Sequence, residues 1–424
     1  MNTDEKTIRR FLEANWEKTL KAPQASLKFP FIDPGSVYGG NLWDWDSFWA
    51  VYGLFSLLDT TPGLKDKWKD TVLDHARGNV RNFFALQLDD GYIPMMIEVS
   101  DGGAPYLLEK HRQGKILNMH KPFLCQQINL ISGWAGDDGW AAGFREGLDR
   151  YFACYDRYYL HSVTGLYVWA DDVMIGMDND PATFGRPRFS TGNIFLNSFL
   201  VAEFRAMARY CRVHGDTDGQ RRYLDKADRL VASIQAESWD PRDQFFYSVD
   251  VDVKTRAYDW FHKGLGVFWK SLPIKIRAWS GFLPLWAGYA SPVQAEALAA
   301  HLADEATFWS PWGVTSLAMD EKMYDLSVTN NPSNWLGPLW VVVQFVAFRG
   351  LMRYGRTDQA RELSRRTQAL LARDVAATGT LHEYYHPQTG EPIMNGGFIN
   401  WNLLALTMEA ELRGTPSLDR FLWD

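Results

Sequence analysis

Carboxyl groups suited to proton transfer cluster in two distant parts of the chain. The first runs Trp169-Ala170-Asp171-Asp172-Val173-Met174-Ile175-Gly176-Met177-Asp178-Asn179-Asp180-Pro181 and continues to Arg186-Pro187-Arg188. Its aspartates flank an apolar run, VMIGM. Apolar neighbours penalise the charged form of a carboxyl and raise its pKa, which an acid working near neutral pH requires. Read alone, the loop fits an acidic turn better than an active site. As a calcium loop it lacks the D-x-[DN]-x-[DN]-G spacing. The second part, His382-Glu383-Tyr384-Tyr385-His386-Pro387, spells H-E-x-x-H, a zinc signature that works only on a helix. Pro387 disfavours helical geometry at His386, and turn-forming residues flank the segment at 378–380 and 387–390. An extended segment presenting Glu383, without metal, is expected instead.

Two aromatic segments accompany these acids. Tyr38-Gly39-Gly40-Asn41-Leu42-Trp43-Asp44-Trp45-Asp46-Ser47-Phe48-Trp49 places two Trp-Asp pairs at the start of a helix. A flat apolar face beside a two-oxygen acceptor suits a sugar ring, whose C–H faces are apolar and whose rim is hydroxylated. A capping aspartate among buried aromatics is the alternative. Asn334-Trp335-Leu336-Gly337-Pro338-Leu339-Trp340 predicts a helix starting near 335, with Pro338 in its first turn and Trp335 either at the mouth of a site or in the core.

The elements that position these residues follow from periodicity. Helices are expected near 4–20, 43–60, 64–87, 118–133, 137–160, 192–214, 216–237, 278–289, 291–305, 335–355, 357–374 and 396–413. Long loops precede the helices near 43, 118, 192, 278, 335 and 396, and short connectors follow them. Helices after long loops are apolar on most faces, as in NIFLNSFLVAEF. Those after short connectors are amphipathic, as in DQARELSRRTQALL. A helix apolar all round is buried and an amphipathic one covers it. The expected fold is therefore all-α, an (α/α)6 barrel of six inner and six outer helices, with every long loop at one end. Nothing resembles a linker in the 424 residues, so one domain over 1–424 is expected.

Composition narrows the function classes. Net charge is −7 and Lys and Arg form no stripe, so no nucleic-acid partner is expected. No apolar run is long enough to span a membrane, and the start MNTDEKTIRRFLEANW has charges where a leader would be apolar. Cys125, Cys154 and Cys211 sit in apolar contexts and read as free thiols, so a cytoplasmic location is expected. Neither G-x-S-x-G, G-x-G-x-x-G, a Walker A sequence nor CxxC occurs. Aromatics make up 15%, with 19 Trp. Those at Trp43, Trp45, Trp169, Trp312 and Trp335 fall on or beside expected mouth loops and read as sugar-stacking surface, whereas Trp286 and Trp340 read as core.

These segments resemble the inverting (α/α)6-barrel enzymes of glycoside hydrolase family 63, and more distantly the trehalases. Gly176-Met177-Asp178-Asn179 with Pro181 is similar to that family's general-acid segment. Glu383-Tyr384-Tyr385-His386-Pro387-Gln388-Thr389-Gly390 is similar to its general-base segment. Trp45-Asp46-Ser47-Phe48-Trp49 resembles the segment holding the −1 sugar, and Trp312-Gly313 with Ser316, and Trp335 with Gly337-Pro338 and Trp340, resemble two more. The phrases WADDVMIGMDNDP and HKPFL, and the shortness of the chain, look like the compact bacterial branch that hydrolyses mannosylglycerate and glucosylglycerate. Two departures stand out: Leu336 where the family commonly has Arg, and His120-Lys121-Pro122 for its Gln-Pro-Pro.

The resemblance implies Asp178 as general acid and Glu383 as general base, with inversion at the sugar carbon. Substrate contacts are expected from Tyr38, Trp43, Trp45, Asp46, Tyr92, Asn179 and Trp335, and from Arg186 or Arg188 toward hydroxyls or a glycerate carboxylate. No cofactor or metal is required, and the expected partner is a small carbohydrate; a homo-oligomer is left open. Three alternatives remain: an α-glucosidase on kojibiose- or nigerose-like disaccharides, a sugar epimerase or isomerase using mouth-loop histidines (His111, His120, His262, His382, His386), and a non-catalytic sugar binder. The aglycone side would be built by loops 88–117 and 238–277.

Overall fold

The computed structural model describes residues 3–99, 105–253, 269–327 and 332–423. His262 and parts of loops 88–117 and 238–277 lie outside them. Outer helix α1 (Thr3–Asn15) opens the chain, followed by α2 (Asp44–Thr60) with α3 (Pro62–Ala85), a short α4 (Tyr106–Arg112), α5 (Leu124–Ala135) with α6 (Arg145–Tyr158), and α7 (Ile194–Val213) with α8 (Thr217–Glu237). Then come α9 (Leu283–Trp286) with α10 (Pro292–Ala303), α11 (Val341–Arg353) with α12 (Thr357–Thr378), and finally α13 (Leu404–Leu412).

The inner ring closes as the hydrophobic pattern requires. Contacts run from α2 to α5, to α7, to α9, to α11, to α13 and back to α2. Around it, α3 lies on α2 and α5, α8 on α7, α12 on α11 and α13, and α1 on α12 and α13. This is the (α/α)6 barrel expected from sequence. Local chemistry sets the helix starts: Asn193 caps α7 by accepting from the Phe195 N–H at 2.8 Å, Asp216 caps α8, and Ser291 with Gln294 forms a capping box on α10. Close approach sets the ring's tightness. A Cβ on Gly53 of α2 would lie 2.5 Å from the Leu403 Cβ.

Several elements differ from expectation. The helices expected from 118, 137 and 396 begin at Leu124, Arg145 and Leu404, the last two after the 3-10 turns Gly139–Phe144 and Asn400–Leu403. The helix expected near 278 is a 3-10 turn, Trp279–Phe282, followed by a single α-turn. The helix α4 was not anticipated. The helix expected from 335 starts at Val341, because residues before it bond sideways. Gly337 takes φ +136° and donates to Ser316 Oγ at 3.0 Å, while Leu339–Trp340 pairs antiparallel with Tyr384–Tyr385. Pro338 therefore stands in an extended segment and not in the first helical turn.

The end of the ring away from the long loops is sealed by residues near the C-terminus. Arg349 of α11, itself buried, donates Nε to Asp419 at 2.9 Å and Nη1 to Glu411 of α13. Tyr52 of α2 donates to Asp419 at 3.0 Å, and Asn129 of α5 to the Leu422 carbonyl at 2.7 Å. Trp423 meets Trp286 edge-on at 5.1 Å. One cation thus holds two buried carboxyls from different elements. Removing one partner of a buried ion pair costs about 3–5 kcal/mol because it strands the rest. Arg349→Ala should lower the unfolding free energy by that amount in urea titrations; a loss below about 1 kcal/mol would mean that the network is hydrated and not a seal.

Candidate active site

A cavity of about 410 Å³ opens at the long-loop end of the ring. Its lining comes from the entry and first turn of α2 (Tyr38, Trp43, Asp44, Trp45, Asp46) and from the segments leading into α5 (Lys121), α7 (Asp172, Val173, Met174, Gly176, Asp178, Phe184), α11 (Pro332, Ser333, Trp335) and α13 (Glu383, Trp401). The two acids singled out from sequence therefore face one space.

Each is positioned by its strand or loop. Glu383 immediately precedes Tyr384–Tyr385, which pairs with Leu339–Trp340 on one side and Pro392–Met394 on the other. The H-E-x-x-H segment is thus a strand, as Pro387 predicts, and its histidines are used locally: His382 Nδ1 contacts Asp374 Oδ2 at 2.9 Å, and His386 Nδ1 accepts from the Gln388 and Thr389 N–H groups. Glu383 is buried, and its Oε2 accepts from Tyr38 Oη at 3.1 Å and from Asn395 Nδ2. Burial drives its pKa well above the usual carboxylate value; Asp46 and Asp178 add to the rise, and Asn395 and Tyr38 oppose it.

Asp178 follows the apolar run, where Ile175 and Met177 are buried. Burial raises its pKa, partly offset by the Ser333 side chain, the Lys121 charge and the Gly176 N–H. Loss of water is therefore the largest effect on this carboxyl. Asp46, in the first turn of α2, accepts from Asn400 Nδ2 at 2.6 Å and is pushed up to about 7, again mainly by burial. All three carboxyls face one cavity, and burial is the largest cause of the upward shift in each.

Aromatic rings build the walls. Trp335 stacks on Trp340 at 3.9 Å with planes 6° apart, and Trp340 stacks on Tyr384 at 4.6 Å. Trp45 is held edge-on by Trp49 and Phe199 and tilted against Phe195 at 5.2 Å. Trp43 meets Tyr38 edge-on at 5.9 Å.

Of the residues expected from sequence, Tyr38, Trp43, Trp45, Asp46, Asp178, Trp335 and Glu383 meet at the cavity. Trp335 does so from a buried stack, so it is wall and core at once. Tyr92, Asn179, Arg186 and Arg188 do not line it. Tyr92 is buried, stacks on His111 and donates to the Asn118 carbonyl at 3.1 Å. Asn179 ties the acid loop to the α11 segment, donating to Asn334 Oδ1 at 3.0 Å and accepting from the Trp335 N–H at 2.6 Å. Arg186 pairs with Asp250 at 2.5 Å, and Arg188 donates to the carbonyls of Ala170 and Ile116. Trp169 packs against Phe195, and Trp312 lies under the Arg373 guanidinium; neither lines the cavity. Sequence reasoning did not single out Lys121, Ser333, Asn395 or Trp401. Only Lys121 left a trace, as a charge inside the otherwise apolar HKPFL. No described histidine faces the cavity, and no group of His, Cys, Asp and Glu among the described residues could hold a metal ion.

Comparisons with known proteins bear on the family and the fold. A probable mannosyl-oligosaccharide glucosidase of Schizosaccharomyces pombe is 23% identical over 63% of this chain and 33% of its own length. Mannosylglycerate hydrolase MGH1 of Selaginella moellendorffii is 29% identical over 39% of this chain and 31% of its own. This chain thus spans about a third of the length of these curated relatives. The crystal structure of a GH63 mannosylglycerate hydrolase from Thermus thermophilus, in complex with glucose, superposes with a TM-score of 0.68 over 95% of this chain and 98% of that one, at 17% identity, a likeness of fold. Residues 40–401 match the mannosylglycerate hydrolase MGH1-like glycoside hydrolase domain. With nearly the whole barrel inside that match, the chain belongs to the MGH1-like glycoside hydrolase family.

Proposed function

We propose that this protein is an inverting glycoside hydrolase for a small α-linked glycoside, glucosylglycerate or mannosylglycerate first among them. The observation that carries this reading is the pair Asp178 and Glu383, two carboxyls from distant segments, both above their ordinary pKa, facing one aromatic-walled cavity. Protonated Asp178 gives its proton to the leaving oxygen. Ionised Glu383, held at Oε2 by Tyr38 and Asn395, takes a proton from a water that attacks the sugar from the opposite face. Inversion needs the carboxyls roughly 6.5–9.5 Å apart with a water between them. Trp43, Trp45 and Trp335 supply flat faces for the ring and Asp46 an acceptor for its hydroxyls. With no described histidine at the cavity, an epimerase mechanism built on histidine bases has no support in the site. Among the described residues no helix is long and apolar enough to cross a membrane, and the three cysteines are free and buried, which supports the cytoplasm as its place.

One observation favours a second reading, a neutral aglycone. Arg186 and Arg188 are engaged elsewhere, and the described rim carries exposed Phe184 and Val173. An α-glucosidase on kojibiose- or nigerose-like disaccharides would use such a rim.

The test is turnover of glucosylglycerate, mannosylglycerate, kojibiose and nigerose by the purified protein. Hydrolysis of either glycerate conjugate at least about tenfold faster, in kcat/KM, than of the disaccharides is expected, a gap of about 1.4 kcal/mol; the reverse order installs the second reading. Asp178→Ala and Glu383→Ala should each remove about 10²–10⁴-fold of kcat in a folded protein. A variant retaining more than about a tenth of kcat would not fit such a role.

The hydrogen bonds to Glu383 also set a pH dependence. Tyr38 lowers the Glu383 pKa, so Tyr38→Phe should raise it further. The base works ionised, so the acid limb of kcat/KM should move to higher pH. An unmoved or lowered acid limb would show that Glu383 is not the group titrating there.

A further inference from the structure

Lys121 is buried and yet lines the cavity. Its Nζ lies 2.8 Å from Asp44 Oδ1 at the start of α2 and 3.1 Å from the Met174 carbonyl in the loop that leads to Asp178. Its backbone is fixed as firmly. The Lys121 N–H donates to Asp44 Oδ2 at 2.6 Å, and its carbonyl accepts from Tyr151 of α6 at 3.0 Å. The preceding carbonyl, of His120, accepts from Tyr155 at 2.8 Å. Such a lysine cannot swing out to water, as surface lysines do.

Two further features bear on its role. Met174 is a non-glycine residue at φ +54°, a left-handed conformation that the surroundings must hold, and its carbonyl is thereby turned onto Nζ. Of the cavity's described lining, Lys121 is the sole cation among Asp44, Asp46, Asp172, Asp178 and Glu383. An ammonium has three N–H bonds. Asp44 and Met174 take two.

We propose that Lys121 is a substrate-contacting residue of this pocket: its ammonium fastens the loop carrying Asp178 to the helix start carrying Asp46, and its third N–H donates to a sugar hydroxyl. The proposal rests on the glycosidase reading and adds a sugar contact to it. Sugar oxygens are good acceptors, and a desolvated ammonium already fixed by two partners loses little freedom on gaining a third. Because the same Nζ touches the acid loop, filling of the sugar site and placement of Asp178 are mechanically joined.

The experiment compares wild type, Lys121→Met, and the double variant Asp44→Asn/Lys121→Met, which removes the cation without stranding a buried carboxylate. The probes are α-glycosides of the sugar turned over by the wild type, each lacking one ring hydroxyl. In wild type, loss of one particular hydroxyl should cost roughly 10- to 100-fold in kcat/KM, the weight of a hydrogen bond to a charged donor. In both variants that penalty should fall to about threefold or less, while penalties at the other hydroxyls persist. A merely structural lysine would depress all substrates equally. Equal penalties in wild type and in the folded double variant would overturn the proposal, even if Lys121→Met alone fails to fold. A wild type that turns over no glycoside at all would instead sink the glycosidase reading and this contact with it.

Discussion

Burial of acidic groups against one another, at the long-loop end of the ring, is the constraint on which the rest of the structure depends. Ionising a buried carboxyl is costly, and ionising several that face one cavity is costlier still. Asp46, Asp178 and Glu383 all feel this, and in each case loss of water is the largest cause of the upward shift. A chain folds around such a set only if hydrogen bonds and a compensating charge are built in. Tyr38 and Asn395 on Glu383, Ser333 on Asp178, Asn400 on Asp46 and the Lys121–Asp44 pair are those compensations. A carboxyl held above its ordinary pKa by loss of water is what acid–base chemistry on a glycosidic bond draws on.

The barrel makes that arrangement rigid. Carboxyls and donors sit on segments leading into different inner helices, so their spacing is set by the closure of the ring and not by any one loop. The stack of Trp335, Trp340 and Tyr384 joins the α11 entry to the strand bearing Glu383. Asn179 joins the acid loop to the same entry. At the other end, Arg349 with Asp419 and Glu411 ties the C-terminal segment under the ring. The ring thus carries acids and aromatic rings at its mouth and a buried ion network at its opposite end.

What the sequence disclosed, and what it did not, follows from the range over which each signal acts. The alternation of wholly apolar with amphipathic helices is a local pattern repeated along the chain, and it led directly to the ring. The strand at Glu383 was legible because Pro387 excludes a helix there. The start of α11 was misread because Gly337 and Pro338 look like a helix entry, whereas their partners, Ser316 and Tyr384–Tyr385, are remote in sequence. Arg186 and Arg188 look like free cations in the string, yet Asp250 and two carbonyls claim them in space. Tyr92 has the composition of a rim residue but finds its hydrogen bond at Asn118. Lys121, Asn395 and Ser333 escaped for the complementary reason: a single polar residue carries no periodicity, and its meaning comes only from the carboxyl that folding brings to it.

The central claim is that Asp178 and Glu383 act on opposite faces of one glycosidic bond. It is tested most directly by proton NMR of the sugar at the first moments of hydrolysis of an α-glycoside such as glucosylglycerate, before mutarotation mixes the anomers. The β-anomer as the initial product is predicted, because water delivered by Glu383 enters opposite the departing group. Initial release of the α-anomer would contradict the account, since it requires a covalent intermediate and a nucleophilic carboxylate where a base is assigned.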